Sequence, residues 1–204
     1  MTTRLPVIAA AVLFALLLAD LLAGGPVTMQ VDPAVLRWMT EHRTEGLTLF
    51  MLAISEVHST VGIDIMLAIA AVALVLHRRR WRLALWLVAS VQGAMLLNVG
   101  VKLLLARQRP AADSALVHLA TFSFPSGHAV ASTVWWGCVA IVLRTAPALH
   151  GRAWLVAWPA AAVLVTCLSR VYLGAHYPSD VVAGMCEGLV WLALCERARA
   201  RWVA

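Results

Sequence analysis

Charge is scarce in this chain. Of its 204 residues only 13% are Asp, Glu, Lys or Arg, where a soluble domain carries about 25%. Together with 62% hydrophobic residues and a mean hydropathy of +0.86, that shortage excludes a water-soluble enzyme as the first reading. Cysteine is sparse too. Cys138, Cys167, Cys186 and Cys195 all lie in or at the end of apolar stretches, with no CxxC or metal-type spacing. They read as small packing residues and not as a redox or metal centre. There is no internal repeat and no low-complexity tract. In a soluble protein the formal net charge of +6 would hint at nucleic acid. Here the charges fall between long apolar runs, so membrane orientation explains them and no nucleic-acid partner is expected.

What the chain does have is length of apolar run. A hydrocarbon core about 30 Å thick needs roughly 20 apolar residues in a helix. Stretches at about 5–23, 60–77, 82–105, 127–144, 153–170 and 179–195 meet or approach that length. They predict an all-α, polytopic membrane protein with six transmembrane helices in a bundle. The whole of 1–204 reads as a single membrane-embedded domain. The first run follows Arg4 and ends in small residues, as a signal peptide would. Its length, and the poor cleavage match of Ala23-Gly24-Gly25-Pro26, favour a retained helix. Residues 33–58 are less apolar and hold Arg37, Glu41, His42, Arg43 and Glu45, just after Asp32. With the short apolar piece Leu47 to Ile54, they predict an interfacial helix followed by a half-buried one, between helices one and two.

The connections set orientation. Arg4, the run Arg78, Arg79, Arg80 and Arg82, then Arg144 and Arg152, and finally Arg197, Arg199 and Arg201 fall on one side of an even helix count. That is ten of the sixteen basic residues, so this side is expected to be cytoplasmic, with both termini. Trp81, Trp86, Trp154 and Trp158 lie near the same interface, as an aromatic belt does. The other side, periplasm or exterior of a cell (inner) membrane, receives Arg37, Arg43, Lys102, Arg107, Arg109 and Arg170.

Three clusters on that outer side carry chemistry. Lys102 with Arg109-Pro110 ends helix three. Pro125-Ser126-Gly127-His128 opens helix four. Ser169-Arg170, His176 and Asp180 bridge helices five and six. Helix parity returns all three to one face. Lys102, Arg109 and Arg170 supply cations, and arginine forks match phosphate oxygens. The start of helix four, at Ser126 and Gly127, offers N–H groups and a positive dipole end. Such a set fits a phosphoryl group. Asp180, four residues from His176 and behind Pro178 at a helix start, can accept from one ring nitrogen and leave the other as nucleophile. His128 can protonate the leaving group. The side chains supply the positive charge, so no metal and no cofactor is expected. Taken singly, each residue has an ordinary role: a snorkelling cation, a helix cap, a polar helix end. The ordered set on one face points instead to a phosphate site, since intramembrane ionisable groups are functional by default.

These residues resemble the signature of the type 2 phosphatidic acid phosphatase (lipid phosphate phosphatase) superfamily: K-x6-R-P, P-S-G-H and S-R-x5-H-x3-D. Lys102–Pro110, Pro125–His128 and Ser169–Asp180 match it without departure, within a core of about 60–195. The resemblance implies a six-helix membrane bundle and metal-independent hydrolysis of a phosphomonoester or diphosphate. In it His176 attacks phosphorus and becomes a phosphohistidine. Asp180 orients it, His128 is the acid, and Lys102, Arg109, Ser126, Gly127 and Arg170 hold the phosphate. Expected substrates are lipids such as undecaprenyl diphosphate, phosphatidic acid or phosphatidylglycerol phosphate. The alternatives are a lipid phosphotransferase using the same phosphohistidine and a non-catalytic membrane scaffold.

Further residues have weaker claims. Arg107 is assigned either to phosphate or to lipid headgroups. Asn98, one turn before Lys102, either orients that lysine or makes a packing hydrogen bond between helices. Ser169 belongs to the third motif but alone reads as a polar helix end. Glu56 and His58 resemble half a metal site, for which two ligands are insufficient. His118 reads as a solvated loop residue, Asp20 and Asp64 as hydrated carboxylates at helix ends, and Trp135-Trp136 as packing or acyl-facing residues.

Overall fold

The computed structural model describes residues 4–111, 115–117, 119–145 and 151–202. Among these residues all regular structure is helical. The order is α1 (Arg4–Ala23), a short π-helical turn (Val27–Val31), α2 (Asp32–Glu41), α3 (Glu45–Val57), α4 (Thr60–Arg78), α5 (Trp81–Leu105), α6 (Gly127–Arg144), α7 (Trp154–Tyr172) and α8 (Pro178–Trp202). His118 lies outside the described residues.

Local chemistry sets the helix ends that matter here. The Ser59 hydroxyl caps α4 by accepting from the Gly62 N–H at 3.1 Å. Asp20 accepts from Val27 N, Thr28 N and Thr28 Oγ1, so it holds the turn after α1 and is not simply hydrated. α5 stops where Ala106 turns left-handed, at φ 47°. α7 stops at Leu173, and Gly174 follows at φ 72°. There the Ala175 and His176 amides fold back onto the Arg170 carbonyl, at 3.0 and 3.3 Å. A glycine suits that left-handed position because it has no Cβ to clash. Pro178, whose missing N–H is harmless at a helix start, then opens α8.

Among the described residues four helices, α1, α5, α7 and α8, are long and apolar enough to cross a membrane. A fifth span exists if α3 and α4 count as one span bent by 52°. The count differs from the expected six at α6. Its composition is diluted by His128, the Trp135-Trp136 pair and Arg144. Yet α6 is central and packs against α5, α7 and α8. Helices in lipid associate through close packing and polar bonds, not through exclusion of water. Val91, Ala94, Val130, Val134 and Cys138 supply the packed core. Trp86 Nε1 donates to Cys195 O and Trp191 Nε1 to Ser90 O, each at 2.8 Å, and these bonds tie α8 to α5. Leu5, Leu16, Ile69, Leu96 and Leu104 face outward.

The alternating helices bring the C-terminal ends of α5 and α7 together with the N-terminal ends of α6 and α8. The far end gathers Arg79, Arg80, Arg82 and Arg199 around a cavity of about 350 Å³. The molecule therefore has one end rich in arginine and one end that holds the signature residues.

Candidate active site

His176 stands in the short loop between α7 and α8 and is 1% exposed. Its Nε2 lies 3.1 Å from Nη1 of Arg109. A guanidinium can only donate, so Nε2 accepts and the ring proton sits on Nδ1. Nδ1 faces Ser123 Oγ at 3.4 Å and Asp180 Oδ2 at 3.6 Å. The second distance is beyond hydrogen-bond length, so Asp180 acts on the ring by charge, across the serine. Burial pushes the His176 ring down to about 3, against the opposing pull of the Asp180 carboxylate. The imidazole is neutral at ordinary pH, and its free lone pair is on the Arg109 side.

Asp180, in the first turn of α8, is wholly buried and densely held. Ser123 Oγ donates to Oδ2 at 2.5 Å and the Tyr177 N–H to the same oxygen at 2.9 Å. Arg107 Nη1 donates to Oδ1 at 2.5 Å. The Arg107 guanidinium, expected at phosphate or at lipid headgroups, is turned inward onto carboxylates, over the ring of Tyr177. Its other carboxylate partner is Asp32 at the start of α2, at 2.7 Å.

The expected phosphate-binding residues are brought to this end, but not all into one cavity. A cavity of about 230 Å³ is lined by Lys102, Arg109, Gly127, His128 and His176, with His58 and Asn98 beside them. Lys102 Nζ donates to the Phe122 and Ser123 carbonyls, at 2.7 and 3.2 Å. Arg109 donates to the Thr121, Phe122 and Ala175 carbonyls, which aim its fork. Burial lowers the Arg109 pKa, although a guanidinium stays charged. The Ser126 amide is engaged with Asp180 O at 2.9 Å. The N–H groups at the start of α6 therefore begin in effect at Gly127, where a Cβ would sit 3.2 Å from Asn98 Oδ1. Ser126 Oγ and Arg170 Nε are buried without a hydrogen-bond partner among the described residues. Arg170 Nη1 donates to Ser55 Oγ of α3.

Of the weaker claims, Asn98 does pack between helices, since its Nδ2 donates to Glu187 Oε2 of α8 at 3.1 Å. Ser169 turns back onto its own helix and donates to the Thr166 carbonyl at 2.7 Å. His58 is occupied: Trp136 Nε1 donates to its Nε2 at 3.0 Å, while Nδ1 meets Ile54 O. Asp64 accepts from Gln92. Sequence reasoning missed Ser123, Ser179, Ser55, Glu187 and the role of Asp32. A lone serine in Phe122-Ser123-Phe124 carries no spacing signal. For Asp32 the one hint was a carboxylate immediately before a proline.

The sequence model of the PAP2 superfamily matches residues 83–203. The chain belongs to the PAP2 superfamily. It is a membrane phosphatase of that family, a phosphoric ester hydrolase. Among its relatives is the decaprenylphosphoryl-5-phosphoribose phosphatase of Mycobacterium tuberculosis, 35% identical over 69% of this chain and 76% of that one. Phosphatidylglycerophosphatase B of Bacillus subtilis is 31% identical over 90% of each chain. The crystal structure of the transmembrane PAP2 type phosphatidylglycerolphosphate phosphatase from Bacillus subtilis superposes with a TM-score of 0.89. It covers 96% of each chain at 24% identity and so shares the fold.

Proposed function

We propose that this protein removes phosphate from a lipid phosphate or diphosphate at the extracytoplasmic face of the membrane, through a phosphohistidine at His176. The observation that carries the reading is the state of that ring. Nε2 opens toward Arg109 in a cavity that also holds Lys102, Gly127 and His128, while Nδ1 faces the Asp180 carboxylate across Ser123.

On binding, a substrate phosphate draws Arg109 Nη1 off Nε2 and takes its place in front of the ring. Arg109, Lys102 and the Gly127 N–H share the charge of its oxygens, while Ser126 Oγ and Arg170 Nε find in it the partner they lack among the described residues. Nε2 attacks phosphorus, the bond to the lipid oxygen breaks, and His128 gives that oxygen a proton. Neutral His128 would then take a proton from water, whose oxygen displaces His176 and releases inorganic phosphate. The Asp180 charge stabilises the positive ring throughout.

Lipid specificity has two supports. The cavity lies at the end of a bundle whose outer surface is apolar, so a headgroup can enter while its tail stays in the bilayer. The two relatives described above are named for lipid-phosphate substrates. For topology, we take α6 and the bent α3–α4 pair as the two remaining spans, six in all, with α2 at the interface. The arginine-rich end then faces the cytoplasm with both termini, by the excess of basic residues there. The whole chain acts as one domain. Phosphate release from phosphatidic acid and polyprenyl diphosphates in detergent tests the reading. His176→Ala must lose turnover, and full activity in that variant would refute the nucleophile.

A further inference from the structure

The proposed mechanism uses Asp180 but leaves unexplained the buried charges behind it. Arg107 stands between two wholly buried carboxylates, Asp180 Oδ1 at 2.5 Å and Asp32 Oδ2 at 2.7 Å. Ser179 closes the cluster: its N–H donates to Asp32 Oδ1 at 2.9 Å, its hydroxyl to Asp32 Oδ2, and Arg107 Nη1 reaches Ser179 Oγ at 2.8 Å. Removing such charges from water is expensive, so a cluster of this kind persists only when its geometry is well satisfied.

One guanidinium and two carboxylates leave a net negative charge. It lies behind the Nδ1 face of His176, where a proton is held and where positive charge grows when Nε2 bonds to phosphorus. A lone Arg107–Asp180 pair would be neutral and would give the imidazole less support. Asp32 supplies the excess charge and fixes the second arm of the guanidinium. Asp32 opens α2, outside the residues 83–203 that match the family. The N-terminal part of the chain therefore reaches the centre built by the C-terminal helices.

We infer that Asp32 and Arg107 are positioning residues for the reaction: together they fix the Asp180 carboxylate and keep the cluster negative, and through it they hold and charge-stabilise His176. This rests on the reading of His176 as the nucleophile.

The test is steady-state hydrolysis of phosphatidic acid in detergent micelles by the full chain, with kcat and KM resolved, for Asp32→Asn, Arg107→Lys, Arg107→Met and His176→Ala. Loss of an outer partner of a metal-bound imidazole costs on the order of 10–100-fold, and the same order is expected for an imidazole held for reaction through its other nitrogen. Asp32→Asn keeps its shape and its acceptor for the Ser179 N–H, so it should fold. It should lose kcat by that factor while KM changes by less than about twofold, because Lys102, Arg109 and Gly127 are untouched. Arg107→Lys should recover part of the kcat that Arg107→Met loses. Elution volume and melting temperature report folding separately, so if Arg107→Met misfolds, Asp32→Asn and Arg107→Lys decide the question. Wild-type kcat in both of these, with an inactive His176→Ala, overturns the positioning role alone. An active His176→Ala overturns the nucleophile, and the positioning role with it.

Discussion

Gly184 is where fold and chemistry meet most tightly, and adding one methyl group there has a calculable effect. It lies on α8 one turn after Asp180. A Cβ on it would stand 2.6 Å from the Ser126 carbonyl oxygen and 2.9 Å from Ala129 Cβ. Ordinary contact begins at 3.4 Å, so α8 must retreat by about 0.8 Å. Neither neighbour is a flexible side-chain end that can swing away. That retreat stretches the 2.9 Å bond from the Ser126 amide to Asp180 O beyond hydrogen-bond range. It also carries Asp180 away from Ser123 and His176. Overpacking of this kind costs about 1–3 kcal/mol of stability. A misplacement near 1 Å at a reacting centre lowers turnover by about 10²-fold. Gly184→Ala should therefore melt at a lower temperature and turn over substrate more slowly, by about 10-fold or more for such a displacement. Gly100→Ala on α5 is the control. Nothing lies within 4 Å of a Cβ there, and alanine favours a helix by about 0.5–1 kcal/mol. The pair is read by phosphate release and by thermal unfolding in the same detergent. Wild-type turnover and melting temperature in Gly184→Ala would show that α6 and α8 are not held at this spacing, and the reasoning would fail.

Two further outcomes follow from the site. His176 has a pKa of about 3 in the folded protein against an ordinary 6.5. Below 6.5 the unfolded chain binds a proton that the folded one refuses, so this group's contribution to stability falls as pH drops from 6.5 toward 3 and is constant above 6.5. The midpoint of thermal unfolding should show a smaller acid loss in His176→Asn than in the parent, and an equal loss in both would contradict the buried neutral ring. Phosphate release should be unchanged by EDTA, because in the proposed mechanism side chains and helix N–H groups supply the positive charge. A rate that requires added Mg²⁺ would count against that mechanism.

Much of this was legible in one dimension because membranes simplify the code. A lipid-crossing helix must satisfy its backbone internally and present apolar side chains, so span positions follow from runs of Leu, Val, Ala and Ile. The helices α1, α4, α5, α6 and α7 appear within a few residues of where those runs predict them, and α8 begins where expected but runs on past 195 to Trp202. The clusters around Lys102, Ser126 and His176 are likewise readable, because each is contiguous and helix parity decides its side. Apolar run length was a poorer guide at α6, where His128, the tryptophan pair and Arg144 thin the signal. It was also a poorer guide at α3–α4, where a bend interrupts it.

What needed three dimensions was every partnership between distant segments. Asp32 with Arg107, Ser55 with Arg170, Asn98 with Glu187 and Ser123 with Asp180 join residues 57 to 115 positions apart. No local period links such pairs. They are chosen by how far helices approach, and that distance depends on small residues such as Gly184 and Gly188. Sequence alone thus determined which groups gather at one end of the bundle and which chemistry they suit. The packed helices decided which nitrogen of His176 faces Arg109, that both arms of Arg107 meet the carboxylates of Asp180 and Asp32, and that the Ser126 amide is engaged with Asp180 O while its hydroxyl has no partner among the described residues. A side chain's chemistry is written in its type, but its partner is set by whatever the fold presses against it.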